Sequence, residues 1–150
     1  MMKFRVIILS TVLAFSLNAQ SYAAGSTQAS KPLVLQNVMK VLGENMQTIA
    51  GAISQEDWAL VEQEAMKVAD HPKPPMTERM KIMGFMGKKM SVFKNNDGKT
   101  HDAATKLSLV AAEQDGFQVI QVFAELQQTC LTCHQSFRQS FKDHFYGTGQ

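Results

Sequence analysis

FQVIQVFAELQQTCLTCHQSFRQSFKDHF, residues 117–145, reads as one unbroken helix. Phe117, Ile120, Phe123, Cys130, Phe137 and Phe141 recur at intervals compatible with a single helical face. Cys130 and His134 are four positions apart and Cys133 is three from Cys130, so on a helix all three project towards the same side. The chain contains only these 2 cysteines.

The run Cys130-x-x-Cys133-His134 is the pattern by which a polypeptide holds a covalently attached haem: two thiols add across vinyl groups and the adjacent imidazole binds iron. A bare C-x-x-C also serves zinc sites and thioredoxin-like redox pairs. A structural zinc site wants four ligands, and His71, His101 and His144 form no second pair at short spacing. A thioredoxin motif sits at a strand-to-helix junction, which a continuous helix does not offer. The residues therefore predict one covalent haem c with its iron, with Cys130 and Cys133 as thioethers and His134 as the proximal ligand.

Residues 1–23 read as a signal peptide and 24–150 as the mature domain. Lys3 and Arg5 give a positive start, Val6 to Leu17 is mostly apolar, and Ser21-Tyr22-Ala23 supplies small residues for cleavage. The apolar run is shorter than the roughly 20 residues that span a bilayer. The expectation is export to the periplasm, where covalent haem attachment also takes place, with no stable membrane insertion of the mature chain. That chain, about 125 residues, has room for one core. Losing Lys3 and Arg5 takes the basic count from 15 to 13, equal to the 13 acids. Such a balance gives no support for nucleic-acid binding.

After a small, polar lead-in from Gly25 to Lys31, Ser30 and Pro32 suggest a helix start. Leu35, Met39, Leu42, Met46, Ile49 and Ile53 then alternate steps of four and three, the seam of a bundle helix. Ser54 can cap a second helix with Glu56 and Asp57 in its first turn and Trp58, Val61, Ala65 and Val68 as its buried stripe. His71-Pro72-Lys73-Pro74-Pro75 stops that helix. Thr77 begins the next stretch, where Met80, Met83, Met86, Met90 and Phe93 keep the 3/4 spacing around Gly84 and Gly87, which predicts a short helix and a bend before a longer one. Asn95-Asn96-Asp97-Gly98 has turn chemistry. The heptad phase nevertheless survives from Phe93 to Leu107, and it favours a helix running through. Gln114-Asp115-Gly116 punctuates before the last helix. With no sustained strand-period alternation, the economical architecture is all-α: an antiparallel four-helix bundle carrying its haem near the C-terminus.

Two segments give the chain a resemblance to the class II c-type cytochromes, cytochrome c′ and its low-spin, methionine-ligated relatives. Cys130-x-x-Cys133-His134-x-x-Phe137-Arg138 looks like the family's haem motif followed by an aromatic and a basic residue. Gln36-Asn37-Val38-Met39-Lys40 looks like the family segment R-Q-x-x-M/L-K, with Leu35 where the arginine usually stands. The resemblance implies that Met39 covers the distal haem face as the sixth ligand, and it places the family role of the distal arginine out of reach. From periodicity alone Met39 reads equally as core filler, because methionine adapts to irregular gaps. Met46 is the next candidate. His71, His101 and His144 read as loop or surface residues, with a bis-histidine haem left open. Phe137 reads as haem-contacting core. Arg138, one turn beyond His134, reads either as a haem-pocket contact or as a solvated residue.

The expected function is periplasmic transfer of single electrons through a His/Met-ligated haem, without enzymatic substrate chemistry, since no acid–base pair is evident beside a distal cavity. The rival expectation is a five-coordinate protein that binds small gases such as NO or CO, with Met39 merely packed over the iron. The expected partners are redox proteins, with the chain a monomer or a homodimer; Lys88-Lys89 reads as either a docking aid for an acidic partner or a solvated face.

Overall fold

A computed structural model describes residues 32–147. The signal peptide expected at residues 1–23 and the lead-in through Lys31 lie outside the described residues. Five helices, α1 Val34–Ser54, α2 Trp58–Ala69, α3 Met76–Met86, α4 Met90–Ala112 and α5 Gly116–Phe145, account for nearly all of the described chain, and it contains no strand. Four of them pack against each other: α4 lies against both α2 and α5, α2 against α1, and α1 touches α5 only sparsely.

The helix borders follow local chemistry. Asp57, not Ser54, caps α2: its carboxylate accepts from the Leu60 N–H at 3.1 Å. Ser54 instead ends α1, its hydroxyl donating to the Ala50 carbonyl one turn back. Asp115 caps α5 in the same way, accepting from Gln118 N at 3.1 Å. The prolines after His71 stop α2, and Gly87, at φ +47°, ends α3 in a conformation that costs a residue with a Cβ. A three-residue 3-10 turn, Gly87–Lys89, then leads into α4.

α4 runs without a break through Asn95–Gly98, as the phase between Phe93 and Leu107 predicts. Asn96 is buried there, and Thr100 donates to its carbonyl at 3.1 Å.

Apolar packing divides into two clusters. The first joins Ile49, Val61, Ala65, Val68, Leu107 and Val119 with Val122 and Leu126. The second joins Ile82 and Met86 of α3 to Phe137 and Phe141 of α5, with Leu35, Phe85 and Phe93 against them. Two stripes differ from their sequence reading. On α1 the buried residues are Val38, Asn45, Ile49 and Ala52, whereas Met39 is 39% exposed. On α5 Phe117 is 85% exposed and Ile120 is also exposed, while Val119, Val122 and Leu126 turn inward. Both pairs of stripes share the 3/4 period, so an offset of one or two residues leaves the pattern intact while changing which side chains are covered.

Candidate functional site around Cys130, Cys133 and His134

α5 brings the two cysteines to the boundary between the clusters. Cys130 is half-buried against the first and Cys133 half-buried against the second. Both thiols are free, and burial pushes both above their ordinary value; Asp97 and then Cys130 add to the effect at Cys133. They are therefore neutral thiols at physiological pH, unlike the depressed thiols of redox-active C-x-x-C pairs. Phe137, one turn beyond Cys133, is buried, and its ring meets Phe93 edge-on with centroids 5.5 Å apart.

His134 is exposed, yet partial burial of its ring, and next the neighbouring Arg138 guanidinium, hold it below the ordinary imidazole value. A neutral imidazole keeps a nitrogen lone pair, the form in which histidine binds a metal. Arg138 itself is exposed.

The α4-facing side of α5 is marked by its contacts. Lys106 pairs with Glu125 at 2.8 Å, and Thr100 Oγ1 donates to Thr129 Oγ1 at 3.1 Å while Thr129 donates to the Leu126 carbonyl. A helix advances about 100° per residue, so His134 lies on the side of α5 opposite Glu125 and Thr129.

Met39 belongs to α1 but to neither cluster: Leu35, one turn before it, packs on the second, and Leu42 and Met46 pack on the first. It is thus the one residue of the expected α1 seam that is left exposed. His101 is exposed beside Asp102, and exposed His144 stacks on Phe85 with centroids 4.2 Å apart. His71 is more engaged than a loop histidine: Nδ1 lies 3.0 Å from the Val68 carbonyl and Nε2 lies 3.5 Å from Asp97 Oδ1.

One structural residue escaped the sequence reading. Glu78, buried on α3, accepts from the Val34 N–H at 2.7 Å and the Leu35 N–H at 2.8 Å, so a side chain from another helix caps α1. A glutamate just after a proline-rich stop reads only as a favourable first-turn acid of its own helix, and nothing local to α1 announces it.

Among the described residues no three His, Cys, Asp or Glu side chains converge to hold a metal ion. None of the described helices is long and apolar enough to cross a membrane. Comparison of the chain with protein-family models, with curated proteins and with solved structures returns no match.

Proposed function

We propose that this protein is an exported class II c-type cytochrome, an antiparallel four-helix bundle that carries single electrons. Cys130 and Cys133 hold one haem c, His134 is the proximal ligand of its iron, and Met39 is the distal ligand. The observation that carries the reading is the placement of two half-buried, neutral thiols on one stretch of α5, each against a different apolar cluster, with a neutral imidazole beside them. Among the described residues a zinc site built from protein side chains lacks its further ligands, and a thiol–disulfide centre lacks its activated thiolate.

When bound, the haem supplies a one-electron ferrous/ferric couple. The chain's own residues do the rest. The cysteines fix position along α5, and His134 presents a nitrogen that is unprotonated at neutral pH. Phe93, Phe137 and Phe141 exclude water beside Cys133, which lowers the local polarity around a changing charge. Arg138 offers a cation one turn from His134 to face a carboxylate of the group. Met39 offers a soft thioether, which favours the ferrous state.

A second reading, a five-coordinate gas binder, draws on one observation: Met39 is exposed and packed in neither cluster. Optical spectra of the purified holoprotein in both oxidation states, with and without Met39→Ala, separate the two. The carrier reading expects a low-spin spectrum with a methionine-to-ferric-iron band that Met39→Ala abolishes. A high-spin spectrum indifferent to Met39→Ala, with ready uptake of CO, removes Met39 as a ligand and favours the gas binder. Absence of covalent haem removes both.

A further inference from the structure

One end of the helix assembly is rich in lysine and arginine. Residues 81–94 and 138–145 together carry 6 lysine or arginine side chains, Lys81, Lys88, Lys89, Lys94, Arg138 and Lys142, against a single carboxylate, Asp143; Glu78 and Asp97 flank the first segment, Glu78 buried on the α1 N–H groups and Asp97 beside His71. These two segments are brought together by the second cluster, where Ile82, Met86, Met90 and Phe93 meet Phe137 and Phe141. None of the six makes an ion pair among the described residues, and all but half-buried Lys142 are exposed. Lys88 and Lys89 line an open cavity of about 390 Å³ together with Phe85, Met86, Phe137 and Ser140. Far from this end, the α1–α2 and α4–α5 connections carry Glu56, Asp57, Glu113 and Asp115, and they are close together because the Trp58 ring lies beneath Gly116.

An apolar floor rimmed by unpaired cations is the anatomy of a protein interface with electrostatic steering. We propose that this basic end is the docking surface for an acidic protein partner, one that seats an apolar side chain in the Phe85–Phe137 cavity with carboxylates around it. The proposal rests on the electron-carrier reading for what passes across the contact, because Phe137 is one turn from Cys133. Its charge logic stands without that reading. A protein is favoured over an anionic membrane because the patch centres on a concave apolar cavity, not on a protruding apolar wedge.

The test has two arms on the mature full-length protein as purified. In the first, a deca-glutamate peptide is titrated in by heteronuclear NMR at low salt. Shifts at residues 85–94 and 137–142 are expected, with at least a fivefold weakening in Lys88→Glu/Lys89→Glu and in 0.3 M salt. Lys81→Glu/Lys94→Glu is the companion variant should the first pair lose its thermal transition. In the second arm, oxidation of the haem by anionic ferricyanide should slow severalfold on charge reversal, while reduction by cationic hexaammineruthenium should speed up. Shifts spread evenly over the surface overturn the proposal. So does tighter binding to phosphatidylglycerol vesicles than to the peptide, which makes the end a membrane contact, or salt-sensitive self-association, which makes it head-to-tail contact with the acidic end of another copy. A protein without haem fails the second arm alone, and a carrier with unaffected rates and no peptide shifts fails the docking surface alone.

Discussion

Truncating Glu78 should loosen α1 at the end where the candidate site lies. The carboxylate spans from α3 to the first two N–H groups of α1, at 2.7 and 2.8 Å, and the residue is buried. A hydrogen bond to a charged group contributes about 1.5–3 kcal/mol, and an anion at a helix N-terminus gains about a further 0.3–1 kcal/mol from the dipole. The full sum overstates the loss. Val34 is exposed, so water can reach the freed N–H groups after truncation, and the buried carboxylate no longer carries its own desolvation cost. Loss of an ordinary helix cap costs about 0.5–2 kcal/mol. We expect Glu78→Ala to cost about 2 kcal/mol, which for a domain of this size lowers Tm by about 8 °C. Glu78→Gln keeps one acceptor oxygen but turns an NH2 group towards the second donor, so it should fall about halfway. Urea melts give the free energies. Hydrogen exchange gives the location, with protection lost at Val38, Met39 and Lys40 and retained through α4. A loss below about 0.5 kcal/mol with unchanged exchange in α1 would refute the cap as what anchors this helix.

The two stripes on α5 make opposite predictions: Leu126→Ala should cost about 2–5 kcal/mol because the side chain is fully buried, while Phe117→Ser should stay within about 0.5 kcal/mol; reversed denaturation midpoints would restore the sequence-derived face. Gly116→Ala should destabilise by about 1 kcal/mol despite alanine's better helix propensity, since the new Cβ would sit 3.0 Å from Trp58 Cη2; the fluorescence of this single tryptophan should shift with it, and unchanged emission and Tm would mean the ring moves freely. His71 is raised above 6.5 first by its hydrogen bond to Asp97, against the opposing effect of burial, and Asp97 is lowered below 3.8 first by the same bond. The histidine's contribution is complete below about pH 6.5 and is lost as pH rises through its folded-state value, and the aspartate's is present above about pH 3.8 and is lost as pH falls through its own. The pair should therefore stabilise most between these limits, and Asp97→Asn should flatten that rise and move the His71 NMR titration downward. A titration midpoint that stays put in Asp97→Asn excludes the pairing.

The all-helical class, the stop at His71–Pro75, the short helix before α4 and the continuity of α4 were legible because each depends on local chemistry or on a long-range phase. At Asn95–Gly98 the two signals conflict: the dipeptides favour a turn, but Asn96 is buried and Thr100 hydrogen-bonds its carbonyl, so packing overrides local preference. Stripe register was less legible. Phe117 is the bulkier apolar residue, yet Val119 is buried and Phe117 is left outside, next to Gly116 where α5 lies close on Trp58. Ser54 and Asp57 are both good caps, and the sequence does not rank them. The Glu78 clamp was illegible because it joins residues 44 positions apart.

The same clamp constrains how the proposed distal ligand would act. Val38 is buried and Met39 lies about 100° round the helix, so turning α1 to bring Met39 inward would expose Val38 and pull the first-turn N–H groups away from Glu78. Burial of Val38 and the Glu78 hydrogen bonds both oppose that rotation, which leaves the side chain, not the helix, as the moving part. Methionine is suited to such movement because it is unbranched, has three rotatable bonds, and here starts from a position packed in neither cluster. Under this reasoning Met39→Leu leaves the melting transition of the haem-free chain nearly unchanged and acts only on the iron spectrum, whereas Glu78→Ala shifts both. A Met39→Leu chain that melts well below the parent before any haem is attached would mean that Met39 is core after all, and the argument for a free, iron-seeking thioether would fail with it.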